Sequence, residues 1–238
     1  MNKQTLIVTF CNYEYVRIAL NWITCLQNVN VNSYLIIATD EEAFDTLSNE
    51  KVNVIYSPGK LPKRSGTGWK WRLQFISNLL NSGFSILHSY LDAIWLKNPL
   101  DLIDNESDII ASMDRGGWPP KTFEKLGFTM CMGWIYFKSN DDVKNALSDI
   151  IDAKSSDIDD QQEFNDYISD KVNINNIYIS ENNERFLMSD NIKVRVLNEM
   201  DVLRGDYNSN SYVCHPLIKK QANKETQLKK RKLWFYDK

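Results

Sequence analysis

Residues 5–10, TLIVTF, decide the fold, because this short apolar run is rich in residues that favour a β-strand. Apolar residues then recur at helical spacing as far as residue 26, which predicts a helix directly after the strand. A second apolar run, SYLIIATD at 33–40, predicts the next strand. A strand, a helix and a strand in this order are typical of a parallel pair joined by a right-handed crossover.

The same alternation continues along the chain. VNVIYS at 52–57 predicts a third strand, and after a loop rich in glycine, proline and lysine a helix begins at Lys70. FSILHSYLD at 84–92 predicts a fourth strand. In the second half, strands are predicted at 108–114, 129–139, 176–180 and 193–197, and helices at 141–153 and 160–168. We therefore expect an α/β fold with a mixed, mostly parallel sheet flanked by helices.

The composition favours a single cytoplasmic domain over the whole of residues 1–238. No apolar run approaches the roughly 20 residues of a bilayer span, and the opening stretch is too short for a secretory signal. A net charge of −3 at pH 7 argues against a nucleic acid partner, which usually requires a strong positive field. The four cysteines are far apart in the sequence, so buried thiols are expected.

Polar residues that follow the strands are the first candidates for a binding site, because ligands of such sheets bind beyond the carboxyl ends of the strands. Asn12 and Asp40 would pair with a uracil-like base and its ribose, or they belong to plain turns. Asp92 would hold a hard divalent cation that in turn binds a diphosphate, or it caps the following turn. Lys70 and Arg72 open a helix and would meet phosphate, or they lie on a solvated helix face.

Residues 90–99, YLDAIWLKNP, resemble a motif of the nucleotide-diphospho-sugar transferase family, glycosyltransferases of the Rossmann-like GT-A fold related to plant cell-wall xylosyl- and arabinosyltransferases. In that family a strand ends in Asp-x-Asp, followed by an apolar pair, Trp-Leu, a basic or polar residue and Pro. Tyr90 stands where the family has its first aspartate, so only the second carboxylate carries over, to Asp92. Further segments resemble the family in the same order: Asn12, Asn21-Trp22, 38–40, 133–137, 160–165, His215-Pro216, Lys224, Leu228 and Leu233-Trp234.

The resemblance implies that two parts of the chain bind different substrates. Residues 1–100 would bind the nucleotide sugar, and residues 101–238 would bind the acceptor and carry a C-terminal closing segment. Asp92 and His215 would hold Mn²⁺ or Mg²⁺, although a lone histidine is also common as a satisfied structural residue. Asn12, Asp40, Lys70, Arg72 and Tyr90 are the positions assigned to the donor nucleotide.

The candidate catalytic residues are Asp160 and Gln161, with Asp114 as an alternative carboxylate on the acceptor side. In an inverting enzyme a carboxylate such as Asp160 takes the acceptor proton, whereas in a retaining enzyme the leaving phosphate takes it and Gln161 only positions the sugar. The resemblance favours retention. The simpler alternative for Asp160 and Gln161 is the polar first turn of a helix.

The expected function is metal-dependent transfer of a sugar from a UDP- or GDP-sugar to a carbohydrate or glycan hydroxyl, as in polysaccharide biosynthesis. The alternative is a nucleotide-sugar-binding module that has lost catalysis, suggested by Tyr90 in place of an acid. A sugar nucleotidyltransferase would need a glycine-rich loop after the first strand, and residues 10–13, FCNY, do not provide one. The basic tail from Lys219 to Lys232 is expected to form a solvated helix, with peripheral contact to an anionic membrane as the alternative.

Overall fold

The structure is a computed structural model that describes residues 5–59, 67–153, 159–218 and 223–237. It divides into two compact units. The first unit comprises Met1–Leu6, Gly59–His88 and Asp104–Asn198, and the second comprises Ile7–Pro58, Ser89–Ile103 and Glu199–Lys238. The units interleave along the sequence, and the assignment of residues 1–100 to the donor and 101–238 to the acceptor stays a prediction. Interleaving is common in α/β folds because crossovers bring strands that are distant in sequence side by side.

The strands in chain order are β1 (Thr5–Cys11), β2 (Tyr34–Ala38), β3 (Val54–Tyr56), β4 (Ser85–Ser89), β5 (Ile94–Trp95), β6 (Ile109–Asp114), β7 (Thr129–Phe137), β8 (Tyr178–Ile179), β9 (Arg185–Ser189), β10 (Ile192–Val196), β11 (Val202–Leu203) and β12 (Val213–Cys214). The helices are α1 (Val16–Asn28), α2 (Glu41–Asn49), α3 (Thr67–Asn81), α4 (Pro120–Leu126), α5 (Asp141–Asp152), α6 (Asp160–Lys171) and α7 (Lys224–Lys230). Short 3-10 helices cover Tyr13–Tyr15, Pro99–Leu102 and Ile174–Asn176.

The second unit is built on parallel strands in the order β3, β2, β1, with α1 and α2 as the crossovers. Helix α1 buries one apolar face, on which the Trp22 ring contacts Trp95 edge to face with ring centroids 6.1 Å apart. A small sheet in the order β11, β12, β5 carries Trp95. The pairing of β12 with β5 is antiparallel and joins Cys214 to Ile94. This register places the residues that follow β12 beside the residues that precede β5.

The first unit contains strands in the order β4, β7, β6, β10, β9, β8, with β10 parallel to β6 and antiparallel pairs elsewhere among β6 to β10. Strand β7 is buried along its whole length, as expected for a central strand with helices on its faces. The α/β class with a mixed, largely parallel sheet is therefore confirmed.

The predicted elements match the structure apart from a few segments. The run at 84–92 is a strand only to Ser89, because the Ala93 N–H donates to the Tyr90 carbonyl at 3.1 Å and closes a turn before β5. Helix α4 and the strands β5, β9, β11 and β12 were not predicted. Helix α4 has only seven residues, too few to show a clear apolar period.

The cysteines are buried and the described part of the tail contains a helix, as the sequence predicted. All four cysteines are buried and free, and burial raises the pKa of the Cys25 thiol to about 12. The described part of the tail contains α7, as expected, while residues 219–222 lie outside the described residues. Within the described ranges, no helix combines the length and the apolar character that a bilayer crossing requires.

Candidate functional site

Asp92 lies in the turn between β4 and β5 and is the centre of a cluster of charged side chains in the second unit. Its carboxylate is buried, with the side chain only 6 % exposed. Lys224 Nζ lies 2.6 Å from Asp92 Oδ2, and His215 Nε2 lies 3.5 Å from Asp92 Oδ1. The structure therefore brings together Asp92 and His215, as the sequence analysis expected, and adds Lys224 as a direct partner.

The register of the small sheet explains why His215 meets Asp92. Because Cys214 is paired with Ile94, the next residue of the chain, His215, lies level with the turn that contains Asp92. The His215 N–H donates to the Leu203 carbonyl at 2.8 Å, which fixes the backbone at this point. The imidazole is thus held on the Asp92 side by backbone pairing and not by its own side-chain contacts alone.

Lys224 is the first residue of α7. The Asn223 side chain caps this helix by accepting a hydrogen bond from the Thr226 N–H at 2.9 Å. Arg17 on α1 forms a two-pronged ion pair with Glu225, with its Nε 2.8 Å from Oε2 and its Nη2 3.0 Å from Oε1. The buried side chain of Leu228 fixes the inner face of the helix. Lys224 is therefore presented to Asp92 by a helix with several anchors on the rest of the second unit.

Asn21 on α1 fastens the segment that follows α7. This side chain is fully buried, its amide donates to the Leu233 carbonyl at 3.1 Å, and its carbonyl accepts from the N–H groups of Phe235 at 2.6 Å and Tyr236 at 3.2 Å. These three hydrogen bonds join residues more than 200 positions apart in the sequence. The C-terminal segment is consequently part of the folded second unit.

The charges of this cluster shift the pKa values of Asp92 and Lys224 in opposite directions, each toward the ionised form. Burial alone would raise the pKa of the Asp92 carboxyl, but the Lys224 ammonium and the His215 N–H overcome that effect and lower it well below 3.8. Burial would lower the pKa of Lys224, but Asp92 and the Tyr15 hydroxyl raise it above 10.5. Asp92 and Lys224 are therefore an ionised pair at neutral pH.

Arg204 determines the tautomer of His215. Its guanidinium Nη1 contacts His215 Nδ1, and a guanidinium has only N–H donors. We therefore assign the lone pair of the ring to Nδ1 and the proton to Nε2, which faces Asp92. The Tyr90 ring packs edge to face on the imidazole with ring centroids 5.6 Å apart, so Tyr90 also belongs to this cluster.

Asn12 and Asp40 lie at the carboxyl ends of β1 and β2, where the sequence placed them. Asn12 Oδ1 is buried and, within the described residues, has no hydrogen-bond partner. Asp40 caps α2 by accepting from the Ala43 N–H at 2.8 Å, and its other oxygen accepts from the Tyr13 N–H at 3.0 Å. Asp40 thus has the turn-forming role that was its alternative, while nucleotide contacts by Asn12 and Asp40 stay a prediction.

Lys70, Arg72 and Asp160 belong to the first unit. Arg72 Nη2 forms an ion pair with Asp160 Oδ2, and the two side chains are 4 % and 2 % exposed. The Arg72 guanidinium also lies over the Trp69 ring, 4.1 Å from its centroid. Burial raises the pKa of the Asp160 carboxyl, and Arg72 only partly offsets that effect. Lys70 is half-buried in α3, and its contact with phosphate stays a prediction.

Gln161 and Asp114 also make hydrogen bonds within the first unit. The Gln161 amide donates to the Trp118 carbonyl, and its oxygen accepts from the Met132 N–H, both at 3.3 Å. Asp114 ends β6, and its carboxylate accepts from the Gly116 N–H at 2.6 Å. These contacts fix the two side chains at the start of α6 and the end of β6, and their roles in catalysis stay predictions.

Three aromatic residues of the first unit, Trp118, Trp134 and Tyr136, differ in exposure. Trp134 and Tyr136 are buried in β7 and belong to the core. Trp118 is 49 % exposed in the loop before α4. Trp118 is thus the member of this set that presents apolar surface.

Sequence reasoning missed two residues and one contact of the cluster at Asp92. Tyr15, Arg204 and the role of Lys224 as a direct partner of Asp92 were not anticipated, although Lys224 itself was noted as part of a family pattern. No local signal could have found Arg204, because its neighbours in the sequence carry no motif and its contact with His215 depends on the pairing of β11 with β12.

The sequence profile of the nucleotide-diphospho-sugar transferase family matches residues 29–233. The chain belongs to this family. Among curated relatives of this transferase are two proteins of Arabidopsis thaliana. Arabinosyltransferase XEG113 is 26 % identical over 126 residues, which is 48 % of this chain and 19 % of the relative. Beta-arabinofuranosyltransferase RAY1 is 22 % identical over 115 residues, 43 % of this chain and 21 % of the relative. The matches thus span about a fifth of the length of each relative.

The fold is shared with a solved glycosyltransferase. The bifunctional glycosyltransferase WbbM in its apo form aligns with a TM-score of 0.50 at 14 % identity, covering 69 % of this chain and 37 % of the other. At this identity the alignment supports the GT-A-like fold of this nucleotide-diphospho-sugar transferase and nothing finer. The family resemblance stated from the sequence is confirmed by the profile.

The family resemblance implied a divalent cation, and the residues around Asp92 do not fit one in the arrangement observed. Lys224 occupies Asp92 Oδ2, and the assigned tautomer leaves no lone pair on His215 Nε2, the ring nitrogen that faces Asp92. Within the described ranges, no three His, Cys, Asp or Glu side chains are grouped so that they could hold a metal ion. Dependence on Mn²⁺ or Mg²⁺ stays a prediction.

Proposed function

We propose that this chain transfers a glycosyl group from a nucleoside diphosphate sugar, with a UDP or GDP carrier, to a carbohydrate hydroxyl. The family match over residues 29–233 supports this proposal. The observation that carries it is the cluster of Asp92, Lys224, His215 and Arg204, in which two permanent cations are fixed next to the turn after β4. Fixed cations of this kind stabilise the negative charge that grows on a leaving diphosphate.

Each residue of the cluster has a distinct task in this proposal. Asp92 orients the Lys224 ammonium, and Arg204 orients the imidazole of His215 through its Nδ1. Asn12 Oδ1, a buried acceptor whose partner is not among the described residues, would accept a hydrogen bond from a donor group of the nucleotide. The donor is thus held by charge at its diphosphate and by a hydrogen bond at its nucleoside.

The proposal includes retention of configuration at the anomeric carbon. The bond between this carbon and the diphosphate oxygen breaks, the acceptor oxygen forms a bond on the same face, and the acceptor proton passes to the leaving phosphate. The first unit supports this order, because both oxygens of Asp160 accept hydrogen bonds, from Arg72 and from the Gln161 N–H. A buried carboxylate so engaged is poorly suited to act as the general base that inversion needs.

The experiment is a screen of UDP- and GDP-linked hexoses and pentoses, arabinose included because the Arabidopsis relatives are arabinosyltransferases by name. Release of UDP or GDP is measured with and without simple glycosides as acceptors, and the anomeric configuration of any product is determined by NMR. Asp92→Asn should reduce turnover by about 100-fold because Lys224 loses its orienting partner. Lys121→Met, at an exposed ion pair with Asp170, is the control that should retain full turnover.

The alternative function, a binding module without catalysis, remains one outcome of this screen. Tyr90 in place of an acid is the observation that favours it. Binding of a nucleotide sugar at micromolar concentration, with no release of UDP or GDP in the presence of any acceptor, would support the module and refute transfer. A product of inverted configuration would refute the retaining part of the proposal alone.

A further inference from the structure

Asp92 is already neutralised within its own unit. Lys224 Nζ donates to Oδ2 at 2.6 Å, and the His215 Nε2–H group lies 3.5 Å from Oδ1. The Asp92 side chain is 6 % exposed, whereas the Lys224 side chain is 25 % exposed. The Lys224 side chain is therefore the more exposed member of this ion pair.

The Lys224 ammonium has the hydrogen-bonding capacity to bind a further anion. It carries three N–H groups, one of which donates to Asp92. The ammonium also lies 5.1 Å from the centroid of the Tyr15 ring. Among the described residues, Asp92 accepts from one N–H group of the ammonium and the Tyr15 ring lies beside it, so the ammonium is oriented and can also donate to a phosphate oxygen, while the anchors on α7 hold it in place.

The net charge of the cluster equals the net charge of a divalent cation bound to one carboxylate. Asp92 carries one negative charge, while Lys224 and Arg204 carry one positive charge each, and His215 is neutral in the assigned tautomer, so the net charge is +1. A divalent cation bound to a single carboxylate would also have a net charge of +1. Because Tyr90 packs on His215 at the place of the family's first aspartate, no second carboxylate comes from that position.

We infer that Lys224, oriented by Asp92 and assisted by Arg204, supplies the charge that binds the donor diphosphate, and that this binding requires no divalent cation. The inference rests on the proposed function, since it concerns the same donor site. It differs from the expectation of Mn²⁺ or Mg²⁺ that the family resemblance implied. Asp92 is then a positioning residue for Lys224 and not a metal ligand.

The first test uses the unmodified protein and isothermal titration calorimetry with UDP and with GDP, each in EDTA and each with Mn²⁺. The inference predicts that whichever nucleotide binds has the same Kd in both buffers, within about twofold. Binding that appears only with Mn²⁺ overturns the inference and leaves the proposed function standing. The absence of binding by both nucleotides in both buffers overturns the inference and the proposed function together.

Variants of Lys224 then test whether its charge binds the nucleotide. In EDTA, Lys224→Met should weaken nucleotide binding by about tenfold or more, and Lys224→Arg should restore part of that loss because it keeps a charge-assisted donor. Lys121→Met removes an exposed lysine of the first unit and should leave the Kd unchanged. Circular dichroism melting of each variant shows whether it is folded. An unchanged Kd in a folded Lys224→Met protein refutes the assignment.

A third measurement does not depend on nucleotide. Electron paramagnetic resonance of free Mn²⁺ reports directly how much of the ion a protein binds. The unmodified protein should leave the Mn²⁺ signal intact at micromolar concentrations. Lys224 already occupies Asp92 Oδ2, and a proton occupies His215 Nε2, so neither atom is available as a metal ligand. Stoichiometric binding of Mn²⁺ by the unmodified protein would show that these contacts yield to the metal and would overturn the inference.

Discussion

Asn21→Ala should release the C-terminal segment that presents Lys224. The substitution removes three hydrogen bonds, one from the Asn21 amide to the Leu233 carbonyl and two to its carbonyl from the N–H groups of Phe235 and Tyr236. At about 1 kcal/mol for each bond, the segment loses about 3 kcal/mol of attachment. Since 1.4 kcal/mol corresponds to about tenfold in an equilibrium constant, the detached state should become about 100-fold more populated.

Hydrogen exchange followed by mass spectrometry measures this detachment directly. Backbone amides in α7 should exchange about 100-fold faster in Asn21→Ala than in the unmodified protein, while amides in the first unit keep their protection. Nucleotide binding should weaken in parallel, because Lys224 is then held near Asp92 for a smaller fraction of the time.

Asn28→Ala is the matched control, since Asn28 lies exposed at the end of the same helix. This variant should exchange as the unmodified protein does. Equal protection of α7 in Asn21→Ala and Asn28→Ala would show that the three hydrogen bonds do not hold the segment, and the account of how Lys224 is positioned would fail.

Three further predictions concern charge. Arg17 and Lys229 lower the pKa of Glu225 from 4.5 to about 2, so its stabilising contribution is fully present above pH 4.5 and is lost as the pH falls from 4.5 through about 2. Glu225→Gln should therefore be less stable to urea than the unmodified protein at pH 7 and as stable as that protein below about pH 2. Arg72→Met leaves the buried Asp160 charge unpaired and should lower the free energy of unfolding by about 3–5 kcal/mol, against under about 1 kcal/mol for Lys121→Met. Tyr90→Asp restores a second carboxylate and should raise the affinity for Mn²⁺, measured by electron paramagnetic resonance.

Each of these predictions has an outcome that would contradict it. A difference in stability between Glu225→Gln and the unmodified protein that persists at pH 2 would mean that the substitution acts through packing instead of charge. Equal destabilisation by Arg72→Met and Lys121→Met would show that burial does not increase the cost of breaking the ion pair. An unchanged Mn²⁺ titration in Tyr90→Asp would show that the side chain at this position does not face Asp92.

The sequence predicted the central elements because their signals are local. The run TLIVTF and the helical spacing after it correspond to β1 and α1, and the run at 129–139 corresponds to β7. Asp92 was found as a candidate because a carboxylate that follows an apolar strand is visible in the sequence. Elements with weak local signals were missed, such as α4, whose seven residues begin directly after a proline.

The role of Asp160 shows the limit of such signals. An acidic residue at the start of a helix is equally consistent with catalysis and with a polar first turn. Only the folded chain shows that Asp160 is buried against Arg72, which lies 88 positions earlier in the sequence. Burial and partnership together change what a carboxylate can do, because they determine its pKa and its access to a substrate proton.

The sequence by itself therefore determined the α/β class, the family and the place of Asp92 at the end of a strand, since each depends on residue types at short spacing. The tertiary structure decided that Asp92 faces an ammonium from a residue 132 positions away, and that Arg204 leaves the imidazole of His215 with its proton toward Asp92. Electrostatic interactions and hydrogen bonds act over a few ångströms, and which groups reach that distance is set by strand register and helix packing.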